Sequence, residues 1–245
     1  MNATPTPRSS PPSAPRDYHD EAWHTPQGKM IREVVFGMND GLITTIGFLA
    51  GVSLTMPDRS LVLFAVVAEV FAGTVSMAAG AYLASKSQRE FFQREIDRER
   101  REIDEEPERE ANEIRDIFRA KGFLPDEVEV VVRRVTADKD RFLDFMVKEE
   151  LGLVREALDD PRTVGAVMGG SFLVGGLIPT LPLLLPGLAR PFPWSLGAAL
   201  AALFGLGVSK ARLARRNPWV GGVEILVVGS VAAGLGFLLG ALFHL

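Results

Sequence analysis

The sequence contains no cysteine, which excludes disulfide bonds, thiolate metal sites and cysteine nucleophiles. Only three histidines occur, and no serine, histidine and acid arrangement indicates a hydrolase. No nucleotide-binding loop is present, so we do not expect ATP to drive any process. The net charge of −4 differs from the basic face that a nucleic-acid-binding protein normally has. We therefore predict neither an enzyme nor a nucleic-acid or nucleotide partner.

The charged residues are concentrated in one part of the chain. Residues 87–160 include 23 acidic and 15 basic residues, whereas the rest of the chain has 8 acidic and 12 basic ones. Apolar segments lie on both sides of this acidic segment. We predict four regions: a tail over 1–30, two membrane helices over 31–86, a helical lobe over 87–160, and three membrane helices over 161–245.

The first thirty residues are rich in proline, serine and polar residues and have no apolar group around which to fold. We predict that they form a disordered tail. They lack the charged start and short apolar stretch of a cleaved signal peptide. The prolines and arginines of the tail favour a bacterial plasma membrane, and a vacuolar membrane is the alternative if the source is eukaryotic.

Five apolar segments approach the roughly 20 residues that a helix needs to cross a bilayer. They cover residues 33–55, 60–85, 163–185, 194–213 and 219–243. The loops richest in lysine and arginine are expected on the cytoplasmic side. This rule places the N-terminus and the acidic segment in the cytoplasm. The predicted fold is all-α, with five transmembrane helices and a cytoplasmic helical lobe inserted between helices two and three.

Two acidic residues, Asp40 and Glu69, lie well inside the first and second predicted spans. An aspartate at mid-bilayer costs at least about 2.5 to 3.5 kcal/mol, so such residues usually have a function. We predict a role in an ion or proton path, with structural pairing as the alternative. Met77 follows Glu69 by eight residues, on roughly the same helix face. A methionine in a membrane helix is usually apolar filling; the alternative is a ligand role, in which its thioether would favour softer ions such as Fe2+.

Glycines spaced by four residues recur in the predicted spans. The pairs are Gly47 with Gly51, Gly165 with Gly169, and Gly236 with Gly240. Such spacing lets membrane helices approach closely. Contact in a dimer, a tight channel wall and ordinary packing within one chain all remain open from this pattern.

Glutamates recur at helical spacing in the acidic segment. Two pairs spaced by three residues and one later residue form the candidate set: Glu99 with Glu102, Glu110 with Glu113, and Glu150. Members of a pair project from one side of a helix. A turn at Pro107 would bring the pairs together, and carboxylate oxygens are ligands that divalent cations prefer. The alternative is a solvated helix face paired with the interspersed arginines.

Three segments together resemble the vacuolar iron transporter family: REVVFGMNDGLITTIGFLAGV in the first span, SMAAGAYLASKSQ at the end of the second, and DFMVKEELGL in the acidic segment. The resemblance extends over the chain after the tail. It implies a homodimer of five-span subunits in a lipid membrane. Such a protein moves Fe2+, often also Mn2+, out of the cytosol by proton antiport, for metal sequestration or detoxification.

The resemblance also implies site residues. The lobe would bind Fe2+ or Mn2+ through the five glutamates and Met146, which with Val147 occupies the place of a methionine pair in some relatives. The membrane path would use Asp40 and Met77, with Glu69 at a further acidic position. The transported ion and the lobe ligand would be Fe2+ or Mn2+, and no organic cofactor is expected. The alternative is a membrane-anchored metal buffer or sensor without transport, a role that does not explain charged residues inside the spans.

Overall fold

The computed structural model describes residues 30–56, 58–152, 159–188 and 190–243, and the predicted tail lies almost entirely outside them. The described residues form eight helices: α1 Ile31–Thr55, α2 Arg59–Glu105, α3 Pro107–Ala120, α4 Pro125–Thr136, α5 Lys139–Glu149, α6 Pro161–Leu184, α7 Pro191–Leu213 and α8 Pro218–Phe243. They contain no strand, which confirms the predicted all-α class. By length and composition, α1, α2, α6, α7 and α8 can each cross a membrane, which confirms the five predicted spans.

The helix starts follow local sequence signals. Proline occupies the first position of α3, α4, α6, α7 and α8, where its missing N–H group leaves no hydrogen bond unmade. Aspartates cap two other starts and one of these: the side chains of Asp58 and Asp138 accept backbone hydrogen bonds at the beginning of α2 and α5, and that of Asp160 does so at the beginning of α6. These residues fix where each helix begins.

Helix α2 is much longer than a membrane span. Its 47 residues extend about 70 Å at 1.5 Å per residue. The apolar first part crosses the bundle of spans, and the charged second part continues beyond it without a break. The predicted span over 60–85 is therefore only the first part of one continuous helix, which carries the residues between the spans away from the bundle.

Helix α6 packs between α1 and α2 through glycines. Cβ atoms added at Gly37 and Gly41 of α1 would lie 2.6 Å from the Met168 carbonyl oxygen and 2.3 Å from the Phe172 carbonyl oxygen. On the other side, a Cβ added at Gly165 would lie 2.8 Å from the carbonyl oxygen of Ala78 in α2. These contacts show that α6 runs parallel to α1 and antiparallel to α2, and they fix the relative heights of the three helices.

The glycine pairs singled out in the sequence make contacts inside the chain. Gly236 and Gly240 of α8 face Gly47 and Gly51 of α1, and a Cβ added at Gly236 would lie 2.0 Å from the Gly47 carbonyl oxygen. The third pair, in α6, packs against α2. Ordinary close packing within one chain therefore accounts for all three pairs.

We expect Gly236→Ala to lower the stability of the protein, because its methyl group would clash with the α1 backbone. Overpacking of this kind typically costs about 1–3 kcal/mol. Gly234→Ala is the matched control on the same helix, because a Cβ there meets no described atom within 4 Å. Thermal unfolding in detergent checks the prediction, and equal midpoints for the two variants would contradict it.

The helices between the second and third spans form a lobe with its own apolar core. We use "the lobe" for the part of α2 from Ile96 onwards together with α3, α4 and α5. Its buried apolar residues are Ile96, Ile103, Ala111, Ile114, Val128, Val132, Val135, Phe142, Leu143, Met146 and Val147. The lobe lies at the end of the bundle where α1 and α6 begin, because α2 leaves the bundle at that end.

Candidate functional site

Three glutamates converge in the lobe. Glu99 lies on α2, Glu110 on α3, and Glu150 directly after α5. One carboxylate oxygen from each lies within 4.8 Å of the others. Glu99 and Glu110 are only 2% and 1% exposed, whereas Glu150 is exposed. The three elements thus build an acidic pocket that is open on one side.

The core of the lobe sets this geometry. Ile96 and Ile103 of α2 are buried on either side of Glu99, and Ala111 and Ile114 of α3 are buried beside Glu110. Because these apolar side chains must face the core, the two glutamates are drawn towards the junction of their helices. Burial of the glutamates is therefore a consequence of the apolar pattern.

The three carboxyl groups strongly affect one another. Burial, followed by repulsion from Glu150 and Glu110, raises the pKa of Glu99 to about 8 from its ordinary value of 4.5. Burial and repulsion from Glu113 and Glu110 raise the pKa of Glu150 to about 7. Burial also raises the pKa of Glu110. Among the described residues, Oε1 of Glu99 is buried with no hydrogen-bond partner. A divalent cation would supply the missing partner and relieve the repulsion.

The other two predicted glutamates lie at the edge of this pocket. Glu102 accepts a hydrogen bond from Arg98 at 3.0 Å, and Glu113 forms an ion pair with Arg109 at 3.6 Å. Both are partly exposed. They repel the central carboxylates electrostatically, but each already has an arginine partner. The structure thus brings together three of the five predicted glutamates as a possible ligand set, and a fourth, Glu113, lies within hydrogen-bonding reach of Glu150.

Met146 is fully buried in the apolar core of the lobe. Its backbone carbonyl accepts the backbone hydrogen bond of Glu150 at 2.9 Å, so it lies one helical turn before that glutamate. Val147 is buried beside it. The role of Met146 as a metal ligand stays a prediction.

The two acidic residues of the spans accept hydrogen bonds from adjacent threonines of α1. Thr45 of α1, which is fully buried, donates a hydrogen bond to Oε2 of Glu69 at 3.1 Å. Thr44 donates to Oδ1 of Asp40 at 3.4 Å. Asp40 and Glu69 interact electrostatically, and both are half-buried. Two carboxylates from different helices therefore face one region of the bundle.

Met77 lies nearer the lobe than these carboxylates. Gly73, one turn before Met77 on α2, packs against Phe172 of α6. Ala78, directly after Met77, packs against Gly165 near the start of α6. Met77 is thus one turn closer to the lobe than Gly73, and it is half-buried. From the lobe towards the far end of the bundle, the order of height is Met77, Asp40 and then Glu69.

Comparison with known proteins identifies the family of this chain. Residues 31–241 match the model described as "VIT family". This chain belongs to the VIT family. The VIT family is a family of transporters, which confirms the prediction that the chain is not an enzyme. It also confirms the resemblance drawn from the three sequence segments.

Named relatives of this VIT-family protein include proteins from plants and yeast. The chain is 37% identical to "Vacuolar iron transporter 2" of Oryza sativa subsp. japonica over 90% of each chain. It is 35% identical to "Vacuolar iron transporter 1" of Arabidopsis thaliana, over 91% of this chain and 89% of the relative. It is 27% identical to "Protein CCC1" of Saccharomyces cerevisiae over 84% of this chain. The match therefore extends over both the spans and the lobe.

Sequence reasoning missed one buried carboxylate of this VIT-family protein. Glu33 was predicted only as the first residue of a span, yet it is 2% exposed. Its Oε1 accepts hydrogen bonds from Nε and Nη2 of Arg32 at 2.9 and 2.7 Å. Its Oε2 is buried with no hydrogen-bond partner among the described residues. Its spacing could have indicated this position, because Glu33 precedes Asp40 by seven residues, about two helical turns, and so projects from nearly the same side of α1.

The raised pKa values of the lobe predict that divalent cations bind more tightly as pH rises. Protons held by Glu99 and Glu150 must leave before a cation binds, so Mn2+ affinity should increase from pH 6 to pH 8, with release of protons. Titration calorimetry in buffers of different ionisation enthalpy measures both quantities. An affinity that does not change with pH would contradict the prediction.

The same groups make the metal-free lobe less stable at high pH. A glutamate with a raised pKa in the folded state binds its proton more tightly than the unfolded chain does. The contribution of Glu99 to stability is complete below pH 4.5 and is lost as the pH rises towards 8. Thermal unfolding without metal should therefore occur at lower temperature at pH 8 than at pH 6, and added Mn2+ should reverse the difference.

Proposed function

We propose that this VIT-family protein moves Fe2+, and also Mn2+, out of the cytosol across a membrane in exchange for protons. The observation that carries the proposal is the pair formed by Asp40 and Glu69, two carboxylates from different helices that accept hydrogen bonds from adjacent threonines of α1 and interact electrostatically. A protein that only binds metal at its lobe does not need such a pair. The names of the relatives, which include "Vacuolar iron transporter 1", support iron as the cargo.

The lobe would capture the cation first. Glu99, Glu110 and Glu150 offer three carboxylate oxygens in one open pocket, and the exposed Glu150 gives access from solvent. Glu102 and Glu113 at the edge add negative charge that attracts a cation, and Met146 is the proposed thioether neighbour. Carboxylate oxygens bind both Fe2+ and Mn2+, so the lobe would accept either metal.

The membrane path would then carry the cation past Met77, Asp40 and Glu69, in the order of their heights. Met77 offers a thioether that favours Fe2+ over Ca2+ or Mg2+. Asp40 and Glu69 repel each other when both are ionised, so a cation or a proton between them is favoured. When the cation leaves, a proton can take its place on one of the two carboxylates. This alternation couples metal export to proton return without any covalent step.

We place the N-terminus and the lobe in the cytosol, with the C-terminus on the opposite side. Basic residues concentrate at the end of the bundle that carries the lobe, including Lys86, Arg162 and Lys210, as expected for a cytosolic side. The membrane would be the plasma membrane in a bacterium or the vacuolar membrane in a eukaryote. We also propose a homodimer in the lipid bilayer, which crosslinking of the protein in membranes would test.

Uptake of Fe2+ into proteoliposomes that contain the purified protein tests the proposed function. Accumulation that exceeds the binding capacity of the protein and is absent from protein-free liposomes would support transport. Saturation at a stoichiometric amount of Fe2+ would contradict it and would favour a membrane-anchored buffer or sensor. Mn2+ uptake under the same conditions tests the second cargo.

A further inference from the structure

Glu33 is a buried carboxylate, and only one of its two oxygens has a hydrogen-bond partner among the described residues. Transfer of a charged carboxylate out of water is costly unless both oxygens have partners. The adjacent Arg32 donates hydrogen bonds to Oε1, while the buried Oε2 has no partner in the described part of the chain. The Glu33 side chain is 2% exposed, whereas the Arg32 side chain is 85% exposed. The guanidinium thus lies at the surface, and the carboxylate lies beneath it.

The position of Glu33 relates it to the membrane path. Asp40 follows by seven residues on α1, which places it about 10 Å further along the helix and only about 20° around it. Gly37, between them, packs against Met168 and Phe172 of α6. Glu33 precedes Gly37 by one turn and is therefore nearer than Gly37 to the level where α6 begins. At this level α2 leaves the bundle towards the lobe. Glu33 lies between the acidic pocket of the lobe and Asp40.

The chemistry of the pair permits exchange of the counter-ion. Arg32 contributes little to packing because its side chain is largely exposed, so it can leave Glu33 at small cost. A divalent cation that replaces the guanidinium would neutralise the carboxylate and could also bind the unpartnered Oε2. Carboxylates that bind in this way are typical ligands of hard divalent cations.

We propose that Glu33 binds a divalent cation at the mouth of the membrane path, and that the Arg32 guanidinium occupies Glu33 while no cation is present. This inference rests on the proposed transport function and adds a binding residue to it. Glu33 receives the cation released by the lobe before Asp40 does. Arg32 competes with that cation and keeps the mouth neutral in its absence.

Opposite effects of two substitutions would distinguish this arrangement from a structural ion pair. Glu33→Gln removes the ligand, so the KM for Mn2+ uptake into proteoliposomes should rise at least about tenfold. Arg32→Gln removes the competitor, so the KM should fall. Glu33→Asp retains a carboxylate and should recover part of the activity. Lys86→Gln is the control, because Lys86 pairs with the exposed Glu90 at the same end of the bundle.

A second readout keeps the test independent of transport. In the full-length protein with Glu99, Glu110 and Glu150 replaced by glutamine, Mn2+ binding should weaken with Glu33→Gln and strengthen with Arg32→Gln. Unchanged binding and uptake in both variants would overturn the proposal, as would equal losses of activity and thermal stability in both. If the unmodified protein accumulates neither Fe2+ nor Mn2+, the proposed transport function is wrong, and the Mn2+ binding measurement still decides the role of Glu33.

Discussion

Asp40→Asn is expected to reduce Fe2+ accumulation in proteoliposomes roughly 100-fold, because it removes a charge that a cation needs inside the bundle. Asp40 accepts a hydrogen bond of 3.4 Å from Thr44 and interacts electrostatically with Glu69. The asparagine side chain has nearly the same shape, so the fold should persist. Cation binding to the lobe, which is distant along α2, should not change.

The matched control is Glu224→Gln. Glu224 also lies on a membrane helix, but it is exposed and pairs with Lys210 at 3.7 Å. Its substitution should leave uptake close to that of the unmodified protein. Uptake by Asp40→Asn at the unmodified rate would show that the cation does not pass this carboxylate.

The double substitution of Glu99→Gln with Glu110→Gln should weaken Mn2+ binding to the lobe at least about 100-fold. The two residues supply two of the three converging carboxylates, and both are buried where water cannot replace them. The same change removes repulsion between buried like charges. At pH 8 the metal-free variant should therefore be at least as stable as the unmodified protein, whereas loss of an ordinary structural pair would lower its stability.

Calorimetric titration with Mn2+ and thermal unfolding of the same samples measure both effects. Asp116→Asn is a suitable control, because Asp116 is exposed on α3 and forms an ion pair with Arg119 at 3.1 Å. Retained Mn2+ affinity in the double variant would remove Glu99 and Glu110 from the ligand set. Lost affinity together with a large loss of stability at pH 8 would indicate a structural role instead.

Much of the fold follows from local sequence properties. Apolar length identified the five spans, and proline or aspartate residues marked most helix starts. The apolar residues Phe91, Phe92 and Ile96 recur at helical spacing in the charged segment, which is consistent with the continuation of α2 past residue 85. The glycine contacts between α1, α6 and α8 could not be assigned in advance, since spacing alone does not say which helices meet.

The candidate site was predicted in part for a similar reason. Spacing placed Glu99 near Glu102 and Glu110 near Glu113, but residues three apart on a helix still differ by about 60° in direction. That difference leaves the first member of each pair buried and turns the second towards an arginine. The burial of Glu33 depends on the close approach of α6 to α1, which no local pattern contains.

Simultaneous recording of Fe2+ uptake and internal pH in proteoliposomes tests whether the protein couples metal export to proton return. With the internal compartment made acidic, we expect Fe2+ to accumulate against its own gradient, together with a rise in internal pH that Asp40→Asn abolishes. Stoichiometric Fe2+ binding with no change in internal pH would contradict it.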